Sequence, residues 1–159
     1  MEHAYFQVSF RPSLTLVSTV RRFTEQFYAR MLDDRALSSR VALATHELLE
    51  NAVAYATDGE TSVRVELEAD AVAVKTWNRA APARLADLVE RIDRLNAAPD
   101  PDAYYRQAIE ETARRTDGSG LGLVRVRAEA EMAVTCEVVD DRVCIQARAR
   151  LDDKDRLAP

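Results

Sequence analysis

The sequence predicts an α+β fold, a two-layer α/β sandwich in which helices pack on one face of a mostly antiparallel mixed sheet. Three observations predict it. Segments of strict apolar/polar alternation mark half-buried strands. Longer segments with apolar residues three and four apart mark amphipathic helices. These elements run strand, two helices, two strands, three helices, two strands, which is not the regular βαβα alternation of a doubly wound sheet.

Residues 4–11 alternate, with Phe6, Val8 and Phe10 on one face and Gln7, Ser9 and Arg11 on the other, and Pro12 ends the strand. Residues 13–32 place Leu16, Val20, Phe23, Phe27 and Met31 at helical spacing. A second helix is expected from about Leu37 to Ala56, with Val41, Leu48, Ala52 and Ala56 as its apolar stripe, before the turn Asp58-Gly59. Residues 61–68 and 71–78 alternate again, and Ala69-Asp70 is short enough to join them as a hairpin. From Pro82 the helical pattern returns at Leu85, Leu88, Val89, Ile92 and Leu95, until Pro99 and Pro101 interrupt it. Helices are expected over about Asp102 to Arg115 and Leu121 to Met132. The chain closes with a hairpin, Val134 to Val138 and Val143 to Ala147. Residues 1–151 read as a single domain and 152–159 as a charged tail, with no repeat or linker between.

Composition narrows the function. The chain has 159 residues, 47% hydrophobic and 31% charged, with a net charge of -5. Cations and anions are interspersed, so the basic stripe of a nucleic-acid binder is missing. No apolar run reaches the roughly 18 residues that span a bilayer, and no signal peptide is visible, so a cytoplasmic protein is expected. If Asp140-Asp141 is the turn of the last hairpin, Cys136 faces Ile145 and Cys144 points to the opposite face. A disulfide between them is then not expected. Two cysteines with His3 and His46 also make a poor zinc set.

Three of the four glycines fall within residues 118–122. Glycine permits positive φ and lets backbone approach a ligand closely. The run Asp117-Gly118-Ser119-Gly120-Leu121-Gly122 leads into an apolar helix, whose free N–H groups suit a phosphate. The alternative is a plain helix–helix turn with Gly118 as its C-cap. It is neither a dinucleotide fingerprint nor a P-loop, because it follows a helix and no Gly-Lys-Ser/Thr occurs. Glu47 and Asn51 lie four apart and share a helix face. The amide oxygen suits a hard cation such as Mg²⁺, and the carboxylate can accept or orient a proton. The alternative for this pair is an ordinary solvated helix face. His46 and Glu50 read as surface or boundary positions.

Together the two segments resemble the GHKL (Bergerat-fold) ATPase superfamily, most of all the bacterial anti-sigma factor serine kinases. Glu47-Leu48-Leu49-Glu50-Asn51-Ala52-Val53-Ala54-Tyr55-Ala56 is similar to the family's N box. Gly118-Ser119-Gly120-Leu121-Gly122-Leu123 is similar to its second glycine box. The resemblance implies ATP and Mg²⁺ as cofactors, Asn51 as the metal-holding residue and Glu47 as the catalytic base or positioning group. It implies that Gly118, Ser119, Gly120, Leu121 and Gly122 wrap the phosphates, beneath a lid from about Pro82 to Asp117. It further implies a protein partner, either a STAS-domain antagonist or a sigma factor, and a homodimer through the first strand and helix.

The first glycine box departs. Where the family has Asp-x-Gly-x-Gly after the strand, this chain has Asn78-Arg79-Ala80-Ala81-Pro82. Asn78 stands in the place of the adenine-binding Asp and keeps an acceptor without its charge. Ala80 adds a methyl where backbone should approach the base, and Pro82 removes an N–H. At about 1–2 kcal/mol each, such changes weaken binding tenfold or more apiece. Two functions remain in view. One is a partner-switching regulator with weak or altered nucleotide binding. The other is an active Mg-ATP-dependent serine/threonine protein kinase acting on a STAS-domain partner. A histidine kinase falls behind both, because no dimerisation helix pair with a phospho-acceptor His accompanies the domain.

Overall fold

The computed structural model describes residues 4–32, 34–114 and 120–152. The elements are β1 (Ala4–Phe10), α1 (Leu14–Met31), α2 (Arg35–Tyr55), β2 (Thr61–Leu67), β3 (Ala71–Arg79), α3 (Pro82–Ala97), α4 (Pro101–Ala113), α5 (Gly122–Ala128), β4 (Ala133–Val139) and β5 (Arg142–Arg150). The strands form one sheet in the order β1-β2-β3-β5-β4, and every pairing in it is antiparallel. The expected α+β sandwich is therefore what the chain forms.

Both hairpins take the register that the alternation predicts. Glu68 N–H donates to the Ala71 carbonyl at 2.7 Å across Ala69-Asp70, and Leu67 pairs with Val72. At the other hairpin Val138 pairs with Val143 and Cys136 with Ile145, leaving Cys144 opposite Glu137 on the other face. The two cysteines are free and half-buried, and burial pushes the Cys136 thiol up to about 11. The inner face carries Val63, Val65, Leu67, Val72, Val74, Ile145 and Ala147, all at most 2% exposed. Burying each such side chain contributes about 1.5–3 kcal/mol, which is what fixes the register.

Helix α2 is the centre of the helical layer, buried along most of its circumference from Leu37 to Ala52. It begins two residues before the expected start, because the Asp34 carboxylate accepts from Leu37 N–H at 2.9 Å and caps it. Pro82 and Pro101 each occupy a first helical position, where a missing N–H costs nothing. Asp100 caps α4 by accepting from Asp102 and Ala103 N–H, both at 3.0 Å.

Two expectations are corrected. Helix α1 buries Val17, Val20, Thr24 and Tyr28, while Leu16, Phe23 and Met31 of the expected stripe are exposed. The true stripe is masked in sequence by two polar-looking members. Thr24 is hidden because its hydroxyl donates to the Val20 carbonyl at 2.9 Å. Tyr28 is hidden by its ring, which packs edge-on against Phe27 at 5.1 Å. The Tyr28 hydroxyl is buried with no hydrogen-bond partner among the described residues. Tyr28→Phe is accordingly expected to hold or raise stability by up to about 1 kcal/mol in urea unfolding; a loss larger than that would show a partner for the hydroxyl. The second correction concerns α5, which stops at Ala128 rather than Met132. Glu131 takes φ 53 and turns the chain into β4, with Met132 N–H donating to the Val126 carbonyl at 3.2 Å. Ala130 and Met132 remain core residues outside the helix.

Candidate functional site

Helix α2 presents Glu47 and Asn51 toward the start of α5. A Cβ added to Gly122 would lie 2.8 Å from Glu47 Oε2 and 3.7 Å from Asn51 Nδ2. The two segments singled out in the sequence therefore meet face to face, and any side chain at Gly122 would require Glu47 to shift. Gly120 has φ 121, a conformation that side-chain-bearing residues avoid, and its missing Cβ would lie 2.8 Å from Arg91 Nη2. Between these walls is a cavity of about 480 Å³ bordered by Glu47, Asn51, Tyr55, Gly120, Gly122 and Arg125, among others. Leu121 lines it too, while Gly118 and Ser119 lie outside the described residues.

Glu47 is 5% exposed, and it is not alone. Arg125 Nη1 donates to Glu47 Oε1 at 2.5 Å. Burial pushes the Glu47 carboxyl above the usual carboxylate range, with Arg125 and His46 acting in the opposite sense. Arg125 also reaches Glu129, Nε to Oε1 and Nη2 to Oε2, both at 3.2 Å. That contact holds the Glu129 carboxyl below its ordinary range. On the other side Arg91 Nη1 donates to the Tyr55 hydroxyl at 3.3 Å, and the Arg84 guanidinium lies 5.6 Å from the Tyr55 ring centroid. Sequence reading missed these arginines. The available signal was Arg125, a charge breaking the apolar run Leu121-Gly122-Leu123-Val124 three residues after Gly122. His46 is half-buried and sits 3.9 Å from exposed Glu50, close to the boundary positions expected.

The structure does not bring Asn78 and Ala80 to this cavity. Both are 3% exposed, at the end of β3. Asn78 Nδ2 donates to the Arg79 carbonyl at 3.2 Å, and Ala80 N–H donates to the Asp141 carbonyl at 2.9 Å. Pro82 then opens α3 at once, where a glycine-bearing loop would be needed for a base to approach backbone. On the same inner face of β3, Thr76 Oγ1 is buried without a partner among the described residues, as is Thr61 Oγ1 on β2. The residues bordering the cavity fit a phosphate chain and its cation, while Asn78 and Ala80 are packed away from it. Among the described residues no three His, Cys, Asp or Glu cluster as a metal cage. Asn51 would hold Mg²⁺ only together with phosphate oxygens, as that ion ordinarily binds.

The sequence model of the histidine kinase-like ATPase domain matches residues 10–148, most of the chain. The protein belongs to the histidine kinase-like ATPase family. The GHKL assignment made from the N box and the glycine run is thereby borne out. This ATPase-domain protein is similar in fold to a chain in the crystal structure of the SiaB–SiaC complex from Pseudomonas aeruginosa. The TM-score is 0.64 at 21% identity, covering 91% of this chain and 89% of that one. No curated protein matches the sequence. Among the described residues no helix of this ATPase domain is long and apolar enough to cross a membrane.

Proposed function

We propose that this protein is a regulator of the anti-sigma or partner-switching type, controlling signalling or transcription through a protein partner, with weak or altered nucleotide binding. The observation that carries this reading is the asymmetry of the site. Glu47, Asn51 and Gly122 meet at the border of an open cavity, while Asn78 and Ala80 are packed away from it. ATP and Mg²⁺ are the expected ligands, held through phosphate contacts. A STAS-domain antagonist or a sigma factor is the expected partner, and a cytoplasmic location is part of the same reading. The SiaB–SiaC neighbour is itself a complex of two proteins, which supports a partner-based role. Calorimetric titration with Mg-ATP and Mg-GTP tests it. Dissociation constants well above the micromolar range are expected, and low-micromolar binding would sink the reading.

The retained Glu47 supports a second reading, an active serine/threonine protein kinase on a STAS-domain partner. Labelled ATP incubated with that partner should then give transfer that Glu47→Ala removes. Transfer no greater than that of the variant would reject it.

A homodimer through β1 and α1 belongs to the same proposal. β1 is an edge strand, and α1 beside it leaves Leu16, Phe23 and Met31 at 38%, 48% and 39% exposed. An open strand edge beside an apolar stripe is self-complementary in a two-fold dimer. Phe23→Glu is expected to shift the sedimentation coefficient from dimer to monomer at a stability cost of about 1–3 kcal/mol, since its ring also packs on Phe6 and Phe27. A wild-type chain that sediments as a monomer at all concentrations would refute the dimer.

A further inference from the structure

Arg125 and Glu129 together join three helices. On α5 it pairs with Glu47 of α2 at 2.5 Å and with Glu129 at 3.2 Å. Glu129 in turn accepts from the Tyr105 hydroxyl of α4 at 2.5 Å. Arg125 also borders the cavity, and its side chain is 37% exposed, so a ligand entering there meets its guanidinium directly. A guanidinium takes carboxylate and phosphate oxygens by the same forked geometry, so the two compete for it.

The present pairing also occupies Glu47. One carboxylate oxygen accepts from Arg125, and the other lies against Gly122, 2.8 Å from where a Cβ would be. With the Arg125 guanidinium against it the carboxylate is a weaker base, and drawing the arginine off raises its capacity to accept a proton. Glu47 is nearly buried, so it cannot simply swing into water to release Arg125. A competing anion in the cavity is the natural way to draw the arginine off.

We propose that Arg125 is a phosphate-binding and positioning residue that exchanges partners. It pairs with Glu47 while the cavity holds no anion, and transfers to the terminal phosphate of a polyphosphate ligand when one enters. The exchange frees Glu47 and changes the tether that Glu129 and Tyr105 provide to α4. This rests on the reading of the cavity as a phosphate site, but not on recognition of a base. The competing account makes Arg125 a fixed neutraliser of Glu47 that never touches ligand.

A double-mutant cycle separates the two, with Mg²⁺-tripolyphosphate as a probe lacking any base, titrated by calorimetry into the full chain. Arg125→Met is expected to lose at least tenfold in affinity. Glu47→Gln is expected to gain several-fold, because Arg125 is no longer held. Removing a carboxylate also lessens general repulsion of an anion, so the decisive variant is the double one. Exchange requires the Glu47→Gln gain to shrink markedly in the Arg125→Met background. An equal gain in both backgrounds, or affinity within twofold of wild type in Arg125→Met, overturns the proposal. So does absence of tripolyphosphate binding in wild type and Glu47→Gln alike. Should Arg125→Met fail to fold, Arg125→Lys serves in its place. It keeps the charge without the fork, and the cycle is again required to be non-additive. Parallel titration with Mg-ATP distinguishes the two readings. Binding of ATP that ignores Arg125 rejects the exchange and keeps the nucleotide. Arg125-dependent tripolyphosphate binding with ATP no tighter supports the exchange and rejects nucleotide recognition.

Discussion

Replacing Gly122 by alanine is expected to reduce polyphosphate or Mg-nucleotide affinity by more than tenfold while leaving the protein folded. The new methyl carbon would lie 2.8 Å from Glu47 Oε2, closer than non-bonded atoms tolerate. A free carboxylate would rotate away at little cost. This one is 5% exposed and borders the cavity, so a displaced carboxylate moves into the ligand's space, and that crowding and repulsion outweigh the affinity gained by releasing Arg125. The stability cost is about 1–3 kcal/mol, kept modest because the Arg125 end is partly solvated. Calorimetric titration and urea unfolding read the two effects separately. Unchanged affinity in a folded Gly122→Ala protein would mean that ligands do not use this wall.

Leu48→Ala carries the largest expected effect on stability. Leu48 is fully buried in α2, one residue from Glu47, within the core that includes Val41, Val65 and Val74. Truncation removes its transfer energy and leaves a cavity that rigid neighbours on the sheet fill only in part. The expected cost is about 2–5 kcal/mol. For a chain of this length that lowers Tm by roughly 10 °C. The measurement is thermal unfolding followed by circular dichroism. A fall of only a degree or two would mean that α2 repacks freely, and the rigid platform argued for Glu47 and Asn51 would go with it.

How far the sequence carries depends on which force places each residue. The hairpins were legible because period-two alternation on a sheet with one covered face leaves a single register that buries Val63, Val65 and Ile145. The contact between the Glu47 helix and the Gly122 loop was legible through family motifs, and the structure adds why Gly122 is glycine. Helix α1 was misread by one stripe because Thr24 and Tyr28 count as polar in a pattern, although local bonding and ring packing bury them. The length of α5 was misread because Glu131 reaches positive φ without a glycine to announce it. Arg125 was legible only as a charge interrupting the apolar run after Gly122, and its partners were not legible. Its partners stand 78 residues upstream and four downstream, and no local pattern encodes that meeting. The departure at Asn78 to Pro82 was visible as letters, but the burial of Asn78 and Ala80 away from the cavity goes with the bond from Ala80 N–H to Asp141 on the β4–β5 turn.

Helix α4 has no fully buried residue and is held to α5 by partly buried Tyr104, Tyr105 and Ala108 and by the Tyr105–Glu129 bond. A helix secured so lightly opens at a small fraction of the global unfolding free energy. Its amides should therefore exchange with deuterium through a local event that leaves β3 and α2 protected. Thirteen residues packed against α5 would then sample released and docked states while the sheet stays intact. A partner surface that selects either state would gain or lose affinity without any change in the core beneath.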